Sequence, residues 1–465
     1  MAMDFSDQNI KQLLAQNLEA LNQWRSKTGG DRTKNTGSGN NIDSLDAERV
    51  LNKLTNRLKG NYPFHAPSYA GQMLKPPHPV AWAAYQLAAT INPNTHALDG
   101  GPPTSQMEKE AIAQLAQMVG YGDKFLGHLT GGGTMANLEA LWVARNYHPD
   151  KAIAFSDNAH YTHQRMCQLL NLNYIVIPSS PSGDWDLAYL DRHKDNIGTL
   201  VITMGTTGLG TVEPLHQLLP EAHKSNIRIH VDAAYGGYFH IISNQLYEAP
   251  WNVLPQVDSI VIDPHKHGLQ PYGCGCILFK DPGVGSFYKH DSPYTYFTSG
   301  GLHLGEISLE CSRPGAAAAA LWATMELLPL KPDEGMGPIL KQCRNAALKL
   351  YRLLLKSSIY KPVIKPQLDI IAYYPFHPQR LNKTSRISKI SKEIFQRGME
   401  HESVPLYLSL YTIDSRDLKQ TNSQLAIDTD KTVVLRSVLM KPEHEAFIPE
   451  LNNRLHILAE ESGLS

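Results

Sequence analysis

Asp258-Ser259-Ile260-Val261-Ile262-Asp263-Pro264-His265-Lys266-His267-Gly268 is an apolar run closed by a proline-punctuated turn. The run reads as a buried strand, and the turn delivers one lysine between two histidines. A lysine there is costly unless its ammonium is paired, exposed or used chemically. For an arbitrary lysine after a strand, a surface turn is the ordinary reading. Upstream, Ile227-Arg228-Ile229-His230-Val231-Asp232-Ala233-Ala234-Tyr235-Gly236-Gly237 is a second apolar strand, ending in a lone carboxylate followed by small residues.

A carboxylate at one strand end and a lysine at the next are what a pyridoxal 5'-phosphate site needs. The lysine links covalently to the cofactor aldehyde, and the carboxylate keeps the pyridinium nitrogen protonated so that the ring accepts electrons. At these residues the chain resembles the group II pyridoxal-phosphate-dependent amino acid decarboxylases. His-Val-Asp-Ala-Ala-Tyr-Gly-Gly (230–237) and Asp-Pro-His-Lys (263–266) carry the resemblance, which runs from about Tyr62 to about Pro442. Within the family the likeness is greatest to bacterial tyrosine decarboxylases, through the Gly-His-Leu-Thr-Gly-Gly-Gly stretch and Ser308 to Pro329.

Composition sets wide bounds. A chain of 465 residues can bury a large core and hold more than one domain. A hydrophobic share of 42% with 19% charged residues is that of a soluble globular protein. The formal net charge of −1 gives no electrostatic reason to expect nucleic acid or an acidic membrane surface. Met1 to Asp7 lacks a basic and then apolar signal, and the Ala-rich run from Gly315 to Leu330 is too short to span a bilayer. Five cysteines in a chain this long make no disulfide framework, and Cys274 and Cys276 flank a glycine in an apolar strand, as core residues rather than metal ligands. The expectation is a cytoplasmic enzyme.

Taken in order, residues 8–26 have helical spacing and 26–41 read as a polar linker. A polar helix follows from Ser44. Ser105 with Glu108 reads as a capping box opening a helix to about Val119. Gly127 to Leu138 is a Gly-rich turn running straight into a helix. Beside a lysine and aspartate suited to pyridoxal it becomes the phosphate cup, with Gly133 and Thr134 as its main groups. Then come strand 151–156, helix 160–171, strand 174–178, helix 186–194, strand 198–203 and helix 214–224. With the strand ending at Asp232 and those at 257–262 and 274–279, the alternation implies a mostly parallel sheet covered on both faces. Ligands of such sheets sit off the carboxyl ends of strands, where His160, Thr207, Asp232 and Lys266 all fall. The C-terminal part reads strand 368–373, helix 384–399, strands 405–412 and 432–437, and helix 442–461.

The resemblance implies an aminotransferase-like type I pyridoxal fold. Its parts are an N-terminal helical segment (1–95), a large cofactor domain (96–328) and a smaller C-terminal α/β domain (329–465). It also implies a homodimer with the active site at its interface. His160 matches the ring-stacking histidine, although alone it would pass for a loop residue, and Thr207 matches a hydroxyl near the cofactor. Ala234 joins the cofactor set, and His265 offers a donor to the phosphate. Gln72 matches a substrate-pocket position that is glutamine in glutamate decarboxylases and histidine in bacterial tyrosine decarboxylases. The loop with Tyr288, His290, Tyr294 and Tyr296 supplies a catalytic tyrosine, best matched by Tyr294, and Tyr272 matches another active-site tyrosine. Arg436, a charge at the end of an apolar strand, reads either as a structural ion pair or as a fork for the substrate carboxylate.

The reading is decarboxylation of an L-amino acid, aromatic by preference, because the 62–73 loop is rich in aromatics and lacks lysine and arginine. Glutamate or aspartate is the alternative substrate. A pyridoxal carbon–carbon lyase of the sphingosine-phosphate lyase kind and a non-catalytic scaffold are the alternative functions.

Overall fold

The apolar runs of the sequence become the strands of one seven-stranded sheet. The computed structural model describes residues 7–28, 44–289 and 303–464. The strands are β1 (Leu126–Thr130), β2 (Ala152–Ser156), β3 (Tyr174–Ile177), β4 (Ile197–Thr203), β5 (Arg228–Asp232), β6 (Ser259–Ile262) and β7 (Gly275–Phe279). Their order is β1-β7-β6-β5-β4-β2-β3. The five from β3 to β6 run parallel, and β7 and β1 close one edge antiparallel. Every residue of β2, β4, β6 and β7 is buried, because helices cover both faces and leave no polar side to alternate with. Each fully buried valine, leucine or isoleucine there stabilises the fold by roughly 2 kcal/mol. Cys274 and Cys276 are both buried, and among the described residues no group of histidines, cysteines or carboxylates could hold a metal.

The helices preceding and flanking the first strands are α1 (Asp7–Lys27), α2 (Ser44–Leu58), α3 (Pro79–Ile91), α4 (Pro102–Met118), α5 (Gly133–Tyr147) and α6 (Thr162–Leu169). Two local expectations need correction. α4 opens three residues before the expected capping box, on Pro102 and Pro103, whose fixed φ and missing N–H suit a first turn. Ser105 Oγ has no partner, and Glu108 instead accepts Arg313 Nη1 at 2.6 Å and the Leu129 N–H at 2.9 Å. The stretch read as a turn before α5 begins as strand β1, where Gly127 lets the main chain lie against Ile277 and Leu278 of β7.

A second, antiparallel sheet has the order β10-β11-β9-β8, with β8 (Tyr360–Pro362), β9 (Ile370–Pro375), β10 (Ser409–Asp414) and β11 (Lys431–Val438). The strand expected at 405–412 starts at 409 because the preceding residues pair with the 62–73 loop. Tyr407 N–H donates to Ser68 O at 2.9 Å, and Ala70 N–H donates back to Tyr407 O at 2.8 Å. Lys441 Nζ adds bonds to Phe64 O at 3.0 Å and Tyr69 O at 2.6 Å. Among the described residues no helix is long and apolar enough to cross a membrane.

Candidate active site

The carboxyl ends of the parallel strands open on a cavity of about 750 Å³. Gly133, Thr134, His160, Thr207, Asp232, Ala234, His265 and Lys266 all line it. Eight positions spread over more than 130 residues of sequence converge because parallel strands put their loops on one side of the sheet.

Asp232 ends β5 and is 6% exposed. Its Oδ1 accepts the Ala234 N–H at 3.1 Å, and its Oδ2 accepts His163 Nε2–H at 2.9 Å. Burial alone would raise its carboxyl, but the bond from His163, that histidine's charge and Lys266 outweigh burial and hold it well below the usual carboxylate range.

Lys266 follows β6 through a tight turn in which its N–H bonds Asp263 O at 2.9 Å. Its ammonium lies 3.1 Å from Asp263 Oδ2. His265 has both ring nitrogens near protein acceptors, with Nδ1–H donating to Cys274 O at 2.7 Å and Nε2 3.4 Å from Asp263 Oδ2. The phosphate donor expected of His265 is therefore already engaged, and burial pushes its imidazole below the usual histidine range. Past the turn, Leu269 holds a φ of 62°, in a left-handed region that costs a branched side chain about 1 kcal/mol. Its carbonyl accepts the His78 N–H at 2.8 Å, which secures the turn from α3's side.

The Gly131–Gly133 cup disfavours side chains, by backbone conformation at Gly132 and by close neighbours at Gly131 and Gly133. Gly132 has a φ of 143°, and a Cβ on Gly133 would lie 2.7 Å from Asp263 Oδ2. Gly131 N–H donates to Glu310 Oε2 at 2.6 Å. α5 starts at Gly133, so its unpaired N–H groups face the cavity.

His160 is half-buried, and its Nδ1 accepts from Thr162 N–H at 3.3 Å and from the Thr162 hydroxyl at 2.8 Å. The remaining N–H is then on Nε2, and burial keeps the ring below its ordinary range, hence neutral near pH 7. The strand ends bearing His160 and Thr207 are tied together by the fully buried Glu213. It accepts the Ser156 hydroxyl and the Thr203 N–H, the latter at 2.6 Å. Burial pushes Glu213 up to about 7. A carboxyl raised on folding contributes stability that is fully present below about pH 4.5 and lost as pH rises through about 7. Glu213→Gln copies the neutral form, so its stability relative to wild type should grow by about 3 kcal/mol across that window. Urea unfolding at several pH values measures this, and a difference that does not vary with pH refutes it.

Three expected positions lie outside the cavity wall. Arg436 is buried, but it donates to Gly208 O at 2.9 Å, Thr207 O at 2.6 Å and Ser409 Oγ at 3.0 Å. Neither an ion pair nor an open fork for a carboxylate, it clamps the Thr207 loop to the second sheet. Gln72 is exposed. Tyr272 is exposed too, donating its hydroxyl to Met73 O at 2.9 Å and packing on His265 at 4.7 Å. Tyr294 and its neighbours His290 and Tyr296 lie outside the described residues, as does most of the 26–41 linker, whose first two residues continue α1. The fold adds His163 and Glu310, neither of which has a signal in sequence beyond closeness to a motif, and gives a role to Asp263, the first residue of the Asp-Pro-His-Lys motif.

The residues present fit pyridoxal phosphate: a side-chain-free cup at a helix start, a buried ionised carboxylate and one lysine share one cavity wall. The family profile described as the pyridoxal-dependent decarboxylase conserved domain matches residues 59–373. The L-tyrosine/L-aspartate decarboxylase of Methanocaldococcus jannaschii is 32% identical over 289 residues, 58% of this chain and 70% of that one. The L-aspartate/L-glutamate decarboxylase of Pyrococcus horikoshii is 27% identical over 363 residues, 76% of this chain and 89% of that one. The crystal structure of mouse CSAD superposes with a TM-score of 0.78 at 19% identity, covering 89% of this chain and 88% of that one, a likeness of fold. The sequence relatives are archaeal and carry acidic substrates in their names, so the likeness is not specific to bacterial tyrosine decarboxylases.

Proposed function

The chain belongs to the pyridoxal-dependent decarboxylase family, an amino acid carboxy-lyase using pyridoxal phosphate, and we propose that its substrate is an aromatic L-amino acid of the tyrosine kind. The carrying observation is that Lys266 and Asp232, from successive strand ends, face one cavity. When bound, the cofactor supplies the electron sink for the bond between the α-carbon and its carboxylate. In this reading Lys266 holds the cofactor covalently and Asp232, kept ionised, faces the ring nitrogen. The start of α5, with Gly133 and the Thr134 hydroxyl, receives the phosphate. Ala234 fixes Asp232 through its N–H, Thr207 contributes a hydroxyl at the rim, and His160 forms a neutral wall. The proton that replaces CO2 on the α-carbon comes from Lys266, His160 or a tyrosine, Tyr294 or Tyr272. The protein's share of the chemistry is to orient one bond and exclude water.

Residues 96–328 form the cofactor domain and 329–465 the smaller one, after the 1–95 segment. A homodimer is part of the reading. α2 exposes Val50, Leu51, Leu54 and Leu58 along one side, a stripe that a second copy would cover, and sedimentation of the purified protein checks this. Five unpaired cysteines support a reducing, cytoplasmic compartment, which cell fractionation tests.

For the substrate, the support is the aromatic cluster of the 62–73 loop. Phe64 meets Tyr69 at 5.0 Å, and Tyr62 meets Tyr407 at 5.6 Å. Lys441 and Arg436, two cations that reach this loop, are already engaged, Lys441 by the Phe64 and Tyr69 carbonyls and Arg436 by those of Gly71, Thr207 and Gly208. A second reading, aspartate or glutamate, is favoured by Arg165. It lines the cavity with its guanidinium 4.5 Å over the Tyr161 ring and could take a side-chain carboxylate. Direct competition among tyrosine, aspartate and glutamate should give tyrosine a kcat/KM advantage of about tenfold or more. Gln72→His should preserve or improve activity on tyrosine. A clear preference for either acidic amino acid reverses the choice in favour of the second reading.

A further inference from the structure

His163 sits in the first turn of α6, fully buried, three residues after His160 and outside both sequence motifs. We infer that His163 is a positioning residue whose Nε2–H, 2.9 Å from Asp232 Oδ2, fixes the orientation and the charge state in which Asp232 faces the cofactor ring. This rests on Asp232 being the partner of the ring nitrogen.

Two observations separate this from ordinary packing. The other ring nitrogen, Nδ1, is buried with no hydrogen-bond partner, an arrangement that costs about 1–3 kcal/mol and serves no packing purpose that phenylalanine would not serve better. The ring lies beside Phe155, centroids 5.9 Å apart, in a site already shaped for an aromatic. At the carboxylate, His163 and the Ala234 N–H take one oxygen each, so the group cannot rotate without breaking a bond.

The other titratable groups facing the pair do not replace this contact. His230, on β5, is saturated by Ser259 Oγ at 2.9 Å and Asn137 Oδ1 at 2.8 Å, and burial pushes it down to about 3. His160 is engaged with Thr162, and Lys266 lies against Asp263. Removing the His163 donor therefore leaves Asp232 with one bond and less to offset burial, which moves its protonation, and the loss of its pairing to the ring, to higher pH.

The test compares holoenzymes carrying His163→Phe, which keeps an aromatic ring without a donor, and His163→Gln, whose amide N–H can occupy the place of Nε2–H. Cofactor release is followed by absorbance as pH is lowered, alongside kcat and KM. For the phenylalanine variant, release should begin about one pH unit higher. Its kcat should fall about tenfold, with KM nearly unchanged. The glutamine variant should behave close to wild type. Phenylalanine matching wild type overturns the inference, as does equal impairment of both variants, since the donor would then not be what matters. If His163→Phe fails to fold, His163→Leu takes its place under the same criteria. In an Asp232→Asn background His163→Phe should cause no further loss. If Asp232→Asn alone leaves release and turnover unchanged, the reading of Asp232 fails. If it is impaired while His163→Phe is not, only the role of His163 fails.

Discussion

Lys266→Ala is expected to lower kcat by roughly 10⁴-fold or more and to abolish the borohydride-reducible bond between protein and cofactor. Among the described residues lining the cavity, Lys266 is the one lysine. Its side chain is about one-fifth exposed and its ammonium already has a carboxylate, Asp263, at 3.1 Å. Alanine removes the amine without opening a large void, so the variant should fold with a melting temperature near that of wild type. Reduction of the wild-type holoenzyme followed by peptide mass analysis should find the adduct on the peptide containing Lys266. A variant that retains a reducible adduct would move the linkage to another residue and break the site's central assignment.

Asp232→Asn is expected to reduce kcat by about 10²–10³-fold, comparable to removing one preorganised electrostatic partner of a reaction's developing charge. The amide has nearly the carboxylate's size and can still accept the Ala234 N–H. Its NH2 group, however, would face His163 Nε2–H, donor against donor, where Oδ2 now accepts at 2.9 Å. Cofactor affinity should therefore weaken modestly while turnover collapses, a separation that titration of the apoenzyme and single-turnover measurements can resolve. Turnover near the wild-type rate would show that the ring needs no anionic partner.

Much of this site could be read along the chain because its main elements are local. A strand followed by a carboxylate, or by Pro-His-Lys, places a functional group at a strand end whatever the rest of the fold does. A Gly-rich turn running into α5 makes an anion site from its own backbone. The parallel core was equally legible, since fully buried strands are continuous apolar runs. β1 was missed because Leu126 to Thr130 is short and carries Gly127 and His128, neither of which favours a strand by itself. Its pairing to β7 is decided across about 150 residues of sequence.

His163 and Arg436 mark where sequence stops being informative. A histidine three residues into a helix and an arginine at the end of a strand have many possible partners, and partner choice depends on which loops the two sheets bring together. The sequence by itself determined the cofactor, the parallel sheet and the strand ends that carry Lys266 and Asp232, because each follows from residue type and short-range spacing. Only the tertiary structure decided that His163 orients Asp232 and that Arg436 holds the Thr207 loop. Hydrogen bonds act over about 3 Å, between groups that the chain separates by as many as 377 residues and only packing makes neighbours.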